Sequence, residues 1–497
     1  MDGITGEMLK YGGVTVAEKM CDLFNMCVAQ NVVPDDWKSA IIVPLYKNKG
    51  SKSECKNYRA ISLLSVPGKV FGSILIDKVR MMTEEKIWEV QCGFMPGRGC
   101  TDQIFSLEQI VEKSLSVGKK VFCAFVDLEK AYDSVDREKL WKIMSEYGVD
   151  EWLVNSVKAV YSESRACVRV NGKLSRSFEI VKGVRQGCVM SPWLFNLFMD
   201  KCIRDTCMNV DGVKVGELNV QVLMYADDAI ILSDSRTDLE QTLGKMVTVT
   251  SDMGLKVNEA KTKVMVFERE EQMTECKIEM NGSELEQVSE FVYLGRAFGR
   301  NGKMENEIKR RVNAGRRVLG CMGDVVKREC ISKEAKIAVY KTVMVPTLLY
   351  GSESWVCQKR HLSKVNAVGM DYLRRVCGKN RRDRVRNDWV LDNCGVSENI
   401  EVKYDKGMLR WFGHVERMND GRLTKQIYKA EMEGVRERGR PRKTWLDGIN
   451  ETFKRRNIRS TRNRRQCMTR CMDIREAREV CQDRVAWRSI VKNVASS

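Results

Sequence analysis

The amino-acid sequence runs to 497 residues, 43% of them hydrophobic, with 85 Lys and Arg against 67 Asp and Glu, a formal net charge of +18. Such a length exceeds one core and allows two to four domains, and the apolar content excludes wholesale disorder. No run of about 18 apolar residues occurs, which excludes a helical membrane span.

The excess charge is uneven. Residues 1–300 hold 39 basic and 43 acidic side chains, net −4, and residues 301–497 hold 46 and 24, net +22. A basic C-terminal part points to a polyanion, nucleic acid before an anionic membrane. The 19 Cys are scattered and odd in number, and no pair has C-x-x-C spacing. The start, Met1-Asp2-Gly3, has no basic or apolar leader pattern, so reduced thiols in an intracellular protein are expected.

In chain order, the first ~290 residues alternate helical and strand patterns. Val121–Val126 is an apolar run of buried-strand type ending in Asp127. Asn171-Gly172 predicts a hairpin with a primed turn, and Asn281-Gly282 repeats the device. Ser191-Pro192 opens a helix through Trp193, Leu194, Phe195 and Phe198, with Ser191 as cap. Val220–Tyr225, Ala226-Asp227-Asp228 and Ala229–Leu232 read as strand, acidic turn, strand. Thr237-x-x-Glu240 reads as a capping box. From about 303 the chain is helical and basic, and beyond 390 it is Arg-dense with interspersed Trp.

Histidine is nearly absent: His361 and His414 stand alone, so Ser-His or Cys-His catalysis is not expected, and Cys467-x3-Cys471-x9-Cys481 matches no common zinc spacing. Carboxylates carry the signal. A charge ending an apolar strand is costly unless solvated, paired or metal-bound. If the strand before Asp127 adjoins those flanking Asp227 and Asp228, three carboxylates meet at one sheet edge. Divalent cations with oxygen ligands suit such a cluster, and two of them can clamp an in-line phosphoryl displacement. Between the acidic sites, Gly183-Val184-Arg185-Gln186-Gly187 supplies close backbone approach and side chains, Arg185 and Gln186, able to contact a nucleotide, or else is a loop whose glycines serve turns.

The ordered set resembles the reverse transcriptase of non-LTR (LINE-type) retrotransposons. Phe125–Asp133 resembles the first palm motif, Val184–Gly187 with Ser191-Pro192 the second, Tyr225–Asp228 the third, and Gly254–Asn258 with Lys261–Lys263 the fourth. Phe291–Gly295 is similar to the primer-grip hairpin, and Asn57–Leu64 and Gln91-x-Gly93-Phe94-x-x-Gly97-Arg98 to the fingers motifs. Ala60 departs from the family's usual Pro. The chain opens at Asp2-Gly3-Ile4, similar to the middle of a fingers motif, so a truncated copy lacking the family's endonuclease is expected.

The resemblance implies an α+β right-hand polymerase: fingers and palm in 1–300, a helical thumb in 301–390 and a basic nucleic-acid-binding region in 391–497. It implies an RNA-directed DNA polymerase, with a catalytically decayed nucleic-acid-binding remnant as the alternative. Asp127, Asp227 and Asp228 would be the catalytic metal ligands for two Mg²⁺ (or Mn²⁺). Leu128, through its carbonyl, with Tyr132, Arg59, Lys47, Gln186 and Gly187, would contact the nucleotide, and Tyr293, Leu294 and Gly295 would grip the primer. Partners would be an RNA template, a DNA primer or target DNA and deoxynucleoside triphosphates, with no membrane, in the nucleus or a cytoplasmic ribonucleoprotein. Basic runs such as Lys454-Arg455-Arg456 and Arg462-Asn463-Arg464-Arg465 would hold phosphates, and Arg438-Gly439-Arg440-Pro441-Arg442 reads as a minor-groove A·T hook or a surface loop.

Overall fold

The computed structural model describes residues 2–432, 434, 442–460 and 470–494. Its centre is a five-stranded sheet in the order Glu286–Gln287, Lys263–Phe267, Val121–Val126, Asp228–Ser233, Val222–Tyr225. Val121–Val126 pairs antiparallel with both neighbours. Strand residues alternate faces. Val121, Cys123 and Phe125 join Leu223, Ile230, Leu232, Met265 and Phe267 on one face, under the helix Cys100–Ser116. Ala124, Val126, Met224, Ala229 and Ile231 line the other, under the helices Ser191–Cys207 and Arg236–Asp252. Burying each of the larger of these side chains (Val, Leu, Ile, Phe, Met) contributes roughly 1.5–3 kcal/mol, so the register that puts every apolar residue inside is strongly specified.

Both Asn-Gly hairpins form, each with positive φ at Asn and Gly. Two helix starts shift. Ser191 is the first helical residue rather than the cap, and its hydroxyl donates to the carbonyl of Arg185. The second capping residue is Ser235, whose hydroxyl accepts from the Asp238 amide, and Thr237 already lies within the helix.

A second sheet gathers Ser39–Tyr46, Tyr58–Leu63, Arg165–Val170, Lys173–Leu174 and Phe178–Glu179. Ala60 sits within Tyr58–Leu63, paired with Pro44, and the strand continues through it.

Residues after 300 are mostly helical, and one apolar cluster runs from Met304 to Val494, so the core continues across residue 390. That cluster also takes in Phe105, from the helix that covers the central sheet. Phe105 meets Trp445 at 4.8 Å and Trp411 at 5.6 Å between ring centroids, both edge-on. The helix Cys100–Ser116 is therefore sandwiched between the sheet and the C-terminal helices.

Glu112 on that helix accepts the backbone N–H of Trp445 at 2.8 Å. Burial pushes its carboxyl up to about 8, the Trp445 N–H opposing and the Glu108 charge adding to the rise. A carboxyl raised in the fold contributes stability below its unfolded value that is lost as pH climbs through about 8. Glu112→Gln keeps the acceptor and removes this dependence. Its melting temperature is expected to match or trail the parent's near pH 4 and to gain on it by several degrees by pH 8.5. A constant difference across that range would contradict the assignment.

Among the described residues, no helix is long and apolar enough to cross a membrane.

Candidate active site

The strands deliver the acidic residues to one sheet edge. Val126 pairs with Ala229 and Tyr225 with Asp228, so one step past Val126 sets Asp127 opposite Asp228. Ala226 and Asp227 form the two-residue turn between Tyr225 and Asp228, and Ala226 has φ +58°. Left-handed backbone costs a non-glycine residue on the order of 1–2 kcal/mol, so something must hold Ala226 there.

The three carboxylates sense one another. Burial first, then Asp127, raises Asp227, while Lys261 opposes the rise. Asp228 is raised to about 6 by desolvation and then by the charges of Asp227 and Asp127. Asp127 is paired with a cation: Lys261 Nζ lies 3.0 Å from its Oδ2. Among the described residues, no three His, Cys, Asp or Glu side chains are gathered closely enough to hold a metal ion as they stand. Uncompensated carboxylates repel, and the lysine takes the place a cation would fill. An all-oxygen donor set, the raised carboxyls of Asp227 and Asp228 and a lysine standing in as counter-ion fit a hard divalent cation.

The segment 256–258 bonds to both sides of Leu128: the Glu129 N–H donates to the Lys256 carbonyl and the Asn258 N–H to the Asp127 carbonyl, each at 2.8 Å. Leu128 faces Val257 as a pair without mutual bonds, so its own carbonyl points away from that segment.

Tyr132 stacks on Phe195, with centroids 4.3 Å apart and planes 19° apart, and meets Phe94 edge-on at 6.2 Å. Among the described residues its buried hydroxyl has no hydrogen-bond partner, and burial, then the Asp227 charge, pushes its ionisation upward. The ring thus rests on Phe195 beside the acidic turn.

Gln186 donates from Nε2 to Asp133 Oδ1 at 3.3 Å, and its carbonyl accepts the Ser62 N–H at 2.7 Å. Gly187 has φ +110°, and a Cβ there would lie 2.6 Å from the Ser62 carbonyl oxygen. This loop therefore ties the strand Tyr58–Leu63, which carries the exposed Arg59, to the acidic site. Lys47 is exposed next to that strand pair, its Nζ donating to the Lys56 carbonyl. Arg185 is different. It is 4% exposed, and its guanidinium donates to the carbonyls of Trp37, Lys38 and Val160 and to Ser164 Oγ. The expected nucleotide contact is thus not made by Arg185, because backbone carbonyls consume its donors.

Tyr293, Leu294 and Gly295 lie at the tip of the hairpin Glu290–Tyr293/Arg296–Gly299. Leu294 and Gly295 both have positive φ, the geometry of a primed two-residue turn. Phe291 stacks on Phe125 at 4.0 Å, and burial, then the Asp228 charge, pushes the ionisation of the Tyr293 hydroxyl upward. The Leu294 carbonyl accepts from Tyr350 Oη at 2.9 Å, anchoring the tip to the helical region.

The basic run at 454–456 is turned largely inward: Arg455 and Arg456 both bind the carboxylate of Asp405, which is wholly buried. A buried charge must be paired, and that need overrides the expected phosphate contact. Arg462–Arg465 and 438–441 of the hook-like segment lie outside the described residues. Exposed cations that do remain include Lys379, Arg381, Arg382, Arg384 and Arg386.

Sequence reasoning assigned no role to Gln91 or Lys261. Gln91 is 2% exposed, and its Oε1 accepts the Ala226 N–H at 2.9 Å. A polar residue two positions before a glycine was the available signal. For Lys261 it was a lysine two residues ahead of the strand Lys263–Phe267, which adjoins the strand leading to Asp127.

Residues 46–298 match the family described as Reverse transcriptase (RNA-dependent DNA polymerase). The chain belongs to that family. It is similar to the RNA-directed DNA polymerase from mobile element jockey of Drosophila melanogaster, 26% identical over 403 residues, covering 77% of this chain and 43% of the relative. It is also similar to the putative 115 kDa protein in the type-1 retrotransposable element R1DM of the same species, 25% identical, covering 71% and 34%. A third relative is the Pol polyprotein from the type-1 retrotransposable element R2 of Popillia japonica, 26% identical, covering 65% and 45%. The chain spans less than half the length of each of these three relatives. Among solved structures, apo telomerase from Candida Tropicalis superposes with a TM-score of 0.41 at 10% identity, covering 84% of this chain and 74% of that one.

Proposed function

We propose that this chain is an RNA-directed DNA polymerase that extends a DNA primer on an RNA template with deoxynucleoside triphosphates. The observation that carries the reading is Asp127 set opposite Asp228, with Asp227 in the adjoining turn, at the edge of the central sheet. In this reading residues 1–300 are fingers and palm, 301–390 the thumb and 391–497 a basic region braced against both. The reaction is in-line attack of the primer 3′-hydroxyl on the α-phosphate, with pyrophosphate leaving.

Asp127 and Asp227, with the Leu128 carbonyl, would hold the divalent ions, and Asp228 would complete the cluster beside the primer end. Bound there, the ions supply Lewis acidity toward the hydroxyl and the phosphates. Lys261, now paired with Asp127, would have to release that carboxylate for it to serve as a ligand. Arg59 and Lys47 reach the triphosphate from the second sheet, and Gln186 and Gly187 shape the nucleotide's floor. Tyr293, Leu294 and Gly295 support the primer. The exposed cations at 379–386 bear on the duplex backbone without reading sequence. Incubating the purified chain with an RNA template, a labelled DNA primer, the four deoxynucleotides and Mg²⁺ tests this: template-length extension is expected, and an unextended primer would overturn it.

Tyr132 is proposed to discriminate the sugar. Its ring is fixed by the Phe195 stack next to Asp227. A flat ring under the sugar leaves no volume for a 2′-hydroxyl, so a ribonucleotide tilts its α-phosphate off line. Misplacement by about 1 Å can cost on the order of 10²-fold in rate. Tyr132→Ala is expected to raise ribonucleotide use relative to deoxyribonucleotide in single-turnover competition. Unchanged selectivity with retained activity would dismiss the role.

A further inference from the structure

Behind the acidic turn lies a set of buried polar side chains that do not face the site. Residues 90–92 run alongside the edge strand Val222–Tyr225 as an added strand: the Cys92 N–H donates to the Met224 carbonyl at 2.9 Å and the Met224 N–H to the Val90 carbonyl at 3.0 Å. Gln91 projects from the middle of this segment. Its Oε1 accepts two amides, Ala226 at 2.9 Å and Gly93 at 2.7 Å, and its Nε2 donates to the Ala226 carbonyl at 3.3 Å. Both polar backbone atoms of the left-handed turn residue are thus held by one side chain.

Neighbouring residues hold the backbone on either side of Gln91 in turn. Gln103, 1% exposed on the helix Cys100–Ser116, donates to the carbonyls of Val90 and Met224 at 2.6 and 2.9 Å. Asn196, wholly buried on the helix Ser191–Cys207, donates to the Gly93 carbonyl at 2.8 Å. Gly93 packs so closely that a Cβ would lie 2.1 Å from the Ala226 nitrogen. Two helices therefore brace the segment 90–93 and the strand end beside it, and that segment in turn holds the Ala226 backbone, which sets where Asp227 and Asp228 point.

We propose that Gln91 is a positioning residue for the acidic turn, fixing Ala226 in its left-handed conformation so that Asp227 and Asp228 meet Asp127. It touches neither substrate nor metal and acts through the Ala226 backbone. A hydrogen-bonded amide suits this better than a charge, because it offers an acceptor and a donor to the same peptide. The inference rests on the function proposed above, and the test separates the two.

Gln91→Leu fills the same space without polar atoms. Three measurements on the full chain are compared with the parent: melting temperature, Mn²⁺ affinity by electron paramagnetic resonance titration without nucleotide, and hydrogen exchange at the Ala226 amide. Expected are Mn²⁺ affinity weakened at least fivefold and Ala226 exchange accelerated at least tenfold, with exchange in the strand Val121–Val126 unchanged. If Gln91→Leu fails to fold, Gln91→Glu serves, since it keeps both acceptor contacts and sets an oxygen against the Ala226 carbonyl. Its kcat for primer extension is expected to fall at least tenfold with the deoxynucleotide KM within twofold, as a shift of the turn alone would produce. A folded variant with parental Mn²⁺ affinity and parental Ala226 exchange, or a Gln91→Glu enzyme with parental kcat, would overturn the inference. A parent chain that binds Mn²⁺ at this turn yet extends no primer would overturn the proposed function and leave the Gln91 measurements readable.

Discussion

Asp227→Asn is expected to abolish primer extension, by on the order of 10³-fold or more, while leaving the protein folded. The loss matches what removing a charge-stabilising group from a preorganised site costs in other enzymes, about 10²–10³, increased here because the side chain would hold a metal ion as well. The retained fold follows from the electrostatics. Asp227 is held above the ordinary carboxylate range by burial and by Asp127, so its charge opposes folding of the metal-free protein. Asparagine keeps the shape and removes that opposition, and the melting temperature without metal is expected to stay level or rise at pH 7. Activity within tenfold of the parent would remove Asp227 from the catalytic set. A lowered melting temperature would make its role structural.

Removing residues 391–497 is expected to destroy the fold rather than release a working polymerase core. The deleted part covers the outer side of the helix Cys100–Ser116, whose inner side covers the central sheet. Trp445 and Phe412 are fully buried, and Phe105 would lose Trp411, Tyr428 and Trp445 together. Arg422, which pairs with Asp102 at 3.1 Å, would leave that carboxylate buried without its cation. Losing one large buried ring costs about 3–5 kcal/mol, a large part of the stability of an ordinary domain. The truncated chain should be insoluble, and Trp445→Ala alone should lower stability by about 3–5 kcal/mol in urea unfolding. A soluble, cooperatively melting 1–390 fragment would show that the C-terminal helices are an appendage. Affinity for nucleic acid is therefore better probed by neutralising exposed cations at 379–386 than by truncation.

The acidic site was legible because its parts announce themselves locally. An apolar strand ending in Asp127 and a strand–turn–strand around Asp227 and Asp228 need only adjacency to converge, and period-two alternation supplies it. The Asn-Gly hairpins were legible for the same reason. The role of Arg185 stayed open because sequence does not reveal which cation is walled in by carbonyls. The inward turn of Arg455 and Arg456 depends on Asp405, some fifty residues away, and no local pattern carries such a pairing. The core that continues across residue 390 was hidden likewise, since a charge count separates regions that apolar packing joins. Gln91 could be quoted as part of a motif, but its task appears only when Ala226, 135 residues on, is found against it.

The most direct test of the central claim is to locate the metal. Crystals of the chain with a template–primer and a non-hydrolysable deoxynucleotide, grown with Mn²⁺, would be measured at the manganese absorption edge. The account predicts anomalous peaks bound by Asp127 and Asp227, at about 2.0–2.2 Å from carboxylate oxygens, with Lys261 withdrawn from Asp127. Peaks elsewhere, or no peak with Lys261 still seated on Asp127, would contradict it.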